Sequence, residues 1–575
     1  MTPLRCLVSL PAHSDPSAPC PSGLLKAAPS IDVIQSCEAS FWIANPTHSK
    51  FVGASCTFFG TIFDDEGRRA PDIRPSEAIC GHPARLADWL CKTFWGAWFA
   101  VIFDHSERRY NVCREPTAHL PLYRLELSNQ VLLATHVELF EAAGAPPPQV
   151  SWPDLAAHLT YPELRRTHTC LSGVREIAPG TLERTSGSEP HQQRLWSAGP
   201  HGSRPSATRE QAADALRKTT ITCVAGWARA TDRVAVSASG GLDSSIVCAA
   251  LAAASEPFDC VTVSTPDASG DESAYVGLLA QHFGVRMIHR TFNPAAIDLT
   301  WSASAGLPRP TRKAFMVELQ RHLREAADQL GATAIFDGNG GDNLFCFLHS
   351  AAPIIDRLQS EGFGRGIFQT FLDMCRITDC DVGTMAQAVL SIMRHGTREW
   401  QPDNRLLAWQ VGRQEPLTPW LGDADPRVPG KAKHIELLLR AQNFTHGLSG
   451  SAPPLAFSPL LSQPLLELCL AVPSWLWCSG GVNRSLAREA FRDNLPVTIL
   501  ARRSKAGPES VLRAVFRRNR ELIREMLLGG VLADRGIIDI KAVELALQVD
   551  EQADDPIINR LLDLAEAEAW ARSWG

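Results

Sequence analysis

At 575 residues, with 45% hydrophobic and 21% charged side chains, the chain is far too long for one core and has the balance of an ordinary globular protein with at least two domains. A net charge of −6 provides no basic field of the kind that holds a phosphate backbone, which argues against a nucleic-acid partner. The 16 cysteines are scattered without a C-x-x-C pair, which argues against a zinc ribbon or a disulfide framework and for reduced core thiols.

The N-terminal stretch "MTPLRCLVSLPAHSDPSAPC" has an apolar run too short for a signal-peptide core. The longest run of small apolar residues, "IVCAALAAA" from Ile246, is about half a membrane span. The expectation is a soluble, cytoplasmic protein with no membrane partner. Further along, "GAWFAVIFD", "RYNVC", "LPLYRLEL" and "VLLATH" alternate β-like runs with turn residues, so the first half reads as sheet-rich. Composition then shifts at "WSAGPHGSRPSATREQAADALRKTT", where Gly, Pro and Ser cluster before a helix with Ser206 or Thr208 as N-cap and Glu210 in its first turn. This places a boundary between a domain of residues 1–200 and one of residues 206–575.

Beyond the boundary, strand and helix alternate: "RVAVSAS", a helix from Ser244, "CVTVST", a helix through "ESAYVGLLAQHFG", "VRMIHRTF", the helix "AFMVELQRHLREAADQLG" and the strand "ATAIFDG". Strands separated by helices of this length predict parallel βαβ units. From Gly362 onward the pattern is mostly helical. The predicted class is α/β together with α+β: a β-rich sandwich, then a parallel-sheet α/β domain with a helical C-terminal part.

The stretch "VAVSASGGLDSS", Val234 to Ser245, runs an apolar strand into two glycines and then a helix. In a parallel sheet, ligands bind beyond the carboxyl ends of strands. Gly240 and Gly241 let the backbone turn tightly and approach a bound group, Ser239, Ser244 and Ser245 add hydroxyl donors, and the helix start adds N–H groups and a positive dipole end. An aspartate in such a nest would repel a phosphate unless a cation intervened, so Asp243 implies Mg²⁺ and the stretch predicts a nucleotide site. The competing reading is a generic glycine turn opening a core helix.

With these residues in order, "SGGLDSS" resembles the pyrophosphate loop of the asparagine synthetase superfamily, ATP-dependent enzymes that adenylate a carboxylate. "DESAYVGLLAQHFGV", "IFDGNGGDNLFC", "SPLLSQPLLELCLAVPSWL" and "LPVTILARRSKAGPES" are similar to further motifs of that superfamily, with Ser462 where an aspartate is usual. The resemblance implies ATP and Mg²⁺ as cofactors, with Asp243 and Asp342 as metal ligands. It implies a pyrophosphate cradle of Ser239, Gly240, Gly241, Ser244 and Ser245, an adenosine site lined by Ala238, Val263, Asp337 and Gly338, and Lys505 as the catalytic cation that stabilises the anion formed when an amine attacks. Asn339 stands where related enzymes carry a group that helps remove the amine proton, and asparagine cannot be that base.

"FWGAWFAVIFD", "CREPTAHLPLY" and "LSGVREIAPGTL" resemble the glutaminase-type (Ntn-type) domain attached to asparagine synthetases. That domain needs a cysteine at its mature N-terminus, and the first thiol here is Cys6, so the resemblance implies a glutaminase fold without glutaminase activity. The amine must then come from the substrate, as in the β-lactam, carbapenam and lasso peptide branches. "GGDNLFC", with Asn343 and Cys346, and "TCLSGVREIAPG" most resemble the lasso peptide macrolactam synthetases. That branch implies a precursor peptide as substrate and, as partners, a leader-binding protein and a leader peptidase. An asparagine synthetase, a β-lactam or carbapenam synthetase and a non-catalytic scaffold are the alternatives.

Overall fold

The structure is a computed structural model; it describes residues 5–11, 31–36, 39–44, 49–51, 56–70, 73–128, 130–185, 191–199, 208–267, 271–311, 314–396, 400–408, 420–444, 454–503, 509–548 and 555–575. The first half forms two antiparallel sheets of six strands each. One has the order Val174–Glu176, Tyr123–Leu127, Gln130–Ala134, Arg5–Pro11, Ala39–Ala44, Ile31–Ser36. The other runs Gln192–Arg194, Thr181–Arg184, Arg109–Arg114, Trp95–Asp104, Cys56–Phe63, Ser49–Phe51. Period-two alternation decides which face each side chain takes. Cys6, Val8 and Leu10 of one sheet meet Phe59, Phe99, Val101 and Val112 of the other, while the intervening Leu7 joins Leu132, Ala134 and the helix Trp152–Thr160 on the opposite face. Phe58, Trp98 and Ile102 pack outward against Leu86 and Leu90 of the helix Pro83–Thr93. The result is a sandwich with helices on both outer faces.

The second half contains a five-stranded parallel sheet in the order Met287–Thr291, Phe258–Ser264, Val234–Ser237, Ala334–Phe336, Leu455–Phe457. Ala235, Val261 and Ile335 face Leu323, Ala326 and Ala327 of the helix Met316–Leu330, whereas Val234, Val236 and Phe336 face Ile246 and Val247 of the helix Leu242–Ala253. With apolar residues covered on both faces, these strands read as continuous apolar runs, as parallel strands do. The chain starts at the central strand, winds outward through two strands on one side, then returns to build the other side. The reversal falls between Val234–Ser237 and Ala334–Phe336, where a doubly wound sheet opens its ligand crevice.

Most predicted elements fold as expected, with two corrections. The helix expected from Ser244 begins at Leu242, which puts Asp243 in its first turn. The strand Leu455–Phe457 is not foreseen by the sequence pattern: it lies in the segment that reads as helical and completes the sheet by pairing with Ala334–Phe336. Thr208 caps the helix Arg209–Arg229 with a reciprocal bond from Gln211, while Ser206, the alternative cap, lies outside the described residues.

The two halves share cores. Phe63 and Trp95 of the second sheet pack on Trp227 of the helix Arg209–Arg229, at ring separations of 5.0 and 5.9 Å. A buried carboxylate, Glu176, accepts from Arg114 (2.9 Å), Arg165 (3.1 Å) and Arg309 (2.6 Å), so one ion cluster ties residues from both sides of the expected boundary. Charges buried together with their hydrogen bonds complete fix one arrangement of the elements that carry them. All described cysteines are free thiols, and among the described residues no helix is long and apolar enough to cross a membrane.

Candidate functional site

The loop after Val234–Ser237 rises from the middle of the parallel sheet. Gly240 takes φ +61°, the left-handed region, and a Cβ there would lie 2.3 Å from the Tyr275 Cβ, so both conformation and space require glycine. Gly241 differs: its φ is −75°, and an added Cβ would approach only Ser239 Oγ, at 3.2 Å. Only one of the two glycines is therefore needed for the turn. The hydroxyls brace the loop from within: the Ser239 N–H donates to Ser244 Oγ (3.2 Å), and Ser245 Oγ donates to the Gly241 carbonyl (2.7 Å).

The second loop, from Asp337 to Asp342, crosses directly over the first. A Cβ on Gly338 would lie 2.4 Å from the Ser244 nitrogen, and one on Gly341 would lie 2.5 Å from the Asp243 Cβ. This interlock delivers Asp342 beside Asp243. Both carboxylates meet one atom, Arg484 Nη1, which donates to Asp243 Oδ2 at 2.8 Å and to Asp342 Oδ1. Asp243 is only 6% exposed. Sequence reasoning misses Arg484; its one signal is a pair of arginines a turn apart in "NRSLAREAF" at the start of the helix Ser485–Ala490.

The partner of that pair, Arg488, donates to the carbonyls of Asn483 (3.0 Å) and Arg502 (3.1 Å), pinning the segment that brings Arg484 in. Burial, with Arg484 nearby, lowers its pKa to about 10. Arg502 reaches the first loop itself: Nη1 donates to the Ser239 carbonyl at 3.2 Å, Nη2 pairs with Glu272, and the guanidinium sits 4.0 Å over the Tyr275 ring.

Ala238, Val263, Asp337 and Gly338 stand at the carboxyl edge of three adjacent strands. The Ala238 N–H donates to the Val261 carbonyl at 2.8 Å, and Val263 is partly buried. Asp337 Oδ1 accepts from Ser458 Oγ (2.8 Å) and Oδ2 from Asn339 Nδ2 (2.7 Å), so Asn339 holds a carboxylate. Burial pushes the Asp337 pKa up to about 6, against these hydrogen bonds. An acid that binds its proton more tightly when folded stabilises the fold at low pH, and that contribution fades as pH rises through its folded pKa. Asp337→Asn keeps the acceptor for Ser458 without the buried charge. The variant is expected to melt higher than the wild type near pH 8, by a margin that narrows as pH falls through about 6 and closes only below the ordinary carboxylate pKa, which thermal melts at pH 8, pH 4.5 and pH 3.5 follow directly.

Ser462 is held from two sides, its Oγ accepting from the Trp227 indole at 2.9 Å and donating to the Pro459 carbonyl at 2.7 Å. Asn343 Nδ2 donates to the Leu437 carbonyl at 2.7 Å, and Cys346 is buried with its thiol pKa pushed up by burial. Lys505 lies outside the described residues. Among the described residues no group of three His, Cys, Asp or Glu side chains gathers as an all-protein metal cage. Two carboxylates meeting at one point suit Mg²⁺ instead, which keeps waters and takes phosphate oxygens beside one or two carboxylates.

A family profile described as asparagine synthase matches residues 215–409 and 456–572, together more than half of the chain, and spans both loops and Arg484. No curated protein matches the sequence. Among solved structures, the glutamine phosphoribosylpyrophosphate amidotransferase from B. subtilis complexed with ADP and GMP is similar at 11% identity over 58% of this chain and 90% of that chain, with a TM-score of 0.23. A structure of the allosteric regulatory enzyme of purine biosynthesis is similar at 10% identity over 58% of this chain and 84% of that chain, with a TM-score of 0.21. At these scores neither likeness adds to the argument. The matched residues include the parallel sheet's first four strands and the two interlocked loops at its point of reversal: the chain belongs to the asparagine synthase family and is an ATP-dependent ligase that forms amide bonds.

Proposed function

We propose that this ligase closes a ring within a peptide: it adenylates the side-chain carboxylate of an Asp or Glu in a precursor core and joins it to the peptide's own N-terminal amine, as lasso peptide macrolactam synthetases do. The observation that carries this reading is the setting of Cys6. Its side chain is 1% exposed inside the sandwich, its thiol pKa is raised by burial, and its backbone N–H donates to Thr135 Oγ1 at 3.0 Å. A thiol sealed in a core, with its own amide taken up, is no nucleophile for glutamine. The first half then acts as a glutaminase-like fold that releases no ammonia, and the amine must arrive on the substrate. The resemblance of "GGDNLFC" to the lasso branch supports a peptide as that substrate.

In this reading Asp243 and Asp342 would hold Mg²⁺, which would supply charge neutralisation for the phosphates and departing pyrophosphate. The loop from Ser239 to Ser245 receives the pyrophosphate, Ala238, Val263, Asp337 and Gly338 border the adenosine, and Lys505 stabilises the anion formed as the amine attacks. A leader-binding protein and a leader peptidase supply the freed core. The test is purified protein with ATP, Mg²⁺ and a synthetic core peptide bearing a free N-terminus. AMP should appear and the peptide should lose the mass of one water. Glutamate released from glutamine, with no change in the peptide, would instead support an asparagine synthetase.

A further inference from the structure

We propose that Arg484 is a built-in counter-ion of the nucleotide site: its guanidinium holds Asp243 and Asp342 together before nucleotide binds, yields them to the cation that accompanies the nucleotide, and then turns to the phosphates. This rests on the reading that the two carboxylates take the cation.

The geometry is specific. One nitrogen, Nη1, contacts both carboxylates, so the guanidinium occupies the point on which a cation shared by those two ligands would centre. Two carboxylates brought this close repel one another, and with no positive charge between them the site would favour protonation of one or separation of the loops. Arg484 removes that conflict. Its side chain is 10% exposed, and the Phe347 ring lies 5.1 Å from the guanidinium carbon.

The backbone beneath it is fixed. Arg484 takes φ 52° and ψ 32°, a left-handed conformation costly for a residue that carries a Cβ, and the next amide, Ser485 N–H, donates to the Trp477 carbonyl at 2.9 Å. A long side chain on a fixed backbone can pivot. Once a cation takes both carboxylates, a guanidinium left in a tight site needs a new anion, and the phosphates that came with the cation present bidentate oxygens. Phosphate oxygens add ligands for a cation in any case, so what sets a purely structural ion pair apart is the variant: with Arg484 removed, nucleotide-free cation binding should then be no tighter than in the wild type.

The difference is measurable without turnover, by electron paramagnetic resonance of Mn²⁺ bound to the full-length protein. The wild type is expected to bind Mn²⁺ weakly alone and at least roughly tenfold more tightly with a non-hydrolysable ATP analogue, whereas Arg484→Gln should bind Mn²⁺ tightly without the analogue. Equal Mn²⁺ affinity of the wild type with and without analogue overturns the proposal, and that measurement needs no variant to fold. Equal nucleotide-free affinity of wild type and Arg484→Gln overturns it as well. The Arg484→Gln/Asp243→Asn double variant separates the two readings. Mn²⁺ binding that survives the second substitution removes the carboxylate assignment beneath the proposal, whereas equal binding by wild type and Arg484→Gln that Asp243→Asn abolishes leaves that assignment standing and removes Arg484 alone.

Discussion

Asp243→Asn is expected to lower ATP–pyrophosphate exchange by on the order of 10³-fold while leaving the protein folded, because the substitution removes charge without removing shape. Asparagine keeps an oxygen for Arg484 Nη1 in the place of Oδ2, and the helix Leu242–Ala253 keeps its first turn. In the proposed reading, what is lost is the negative charge that would bring a cation onto the phosphates, and a developing negative charge on departing pyrophosphate is where a cation contributes most. A rate loss of that size corresponds to about 4 kcal/mol of transition-state stabilisation. Stability should fall much less, by about 1–2 kcal/mol, since a charge-assisted hydrogen bond becomes a neutral one. Exchange of labelled pyrophosphate into ATP, beside a thermal melt, reads both quantities. Exchange at the wild-type rate would remove Asp243 from the chemistry.

The parts of this site that are legible in the sequence are those whose backbone is constrained locally. An apolar strand running into "SGGLDSS" and another running into "GNGGDN" announce two loops at one sheet edge, because only a strand–turn–helix reading accommodates the glycines. The strand Leu455–Phe457 is hidden for the converse reason: at three residues it carries no alternation, and the apolar residues that follow it, Leu460 and Leu461, belong to the next helical turn. Arg484 is hidden because nothing about an arginine at the start of a short helix says whether it faces water or the interior, and here five of the six helix residues are buried. Only the packing of the helix Ser485–Ala490 brings it to two carboxylates more than a hundred residues away. Ser462 shows the reverse case, in which a departure from a family motif turns out to bond the Trp227 indole that joins the halves.

Gly338→Ala should be among the most damaging single methyl groups at the proposed nucleotide site. The added carbon would sit 2.4 Å from the Ser244 nitrogen, 2.8 Å from the Asp243 carbonyl carbon and 2.9 Å from the Ser244 Cα, all backbone atoms of a helix start that cannot rotate away as a side chain does. One loop must move off the other, and overpacking of this kind costs about 1–3 kcal/mol or more. The Asp342 carboxylate, which rides on the second loop, then loses its place beside Asp243, so the effect on function exceeds the effect on stability. ATP-analogue binding is expected to weaken by roughly a hundredfold, the factor for about 2.7 kcal/mol of lost interaction. Gly277→Ala is the internal control: it lies inside the helix Ser273–Phe283, an added Cβ meets nothing within 4 Å, and the change should stabilise by about 0.5–1 kcal/mol with analogue binding unchanged. Calorimetric titration of both variants with the analogue decides the matter. If Gly338→Ala binds as the wild type does, the close approach of the two loops is not what forms the nucleotide site.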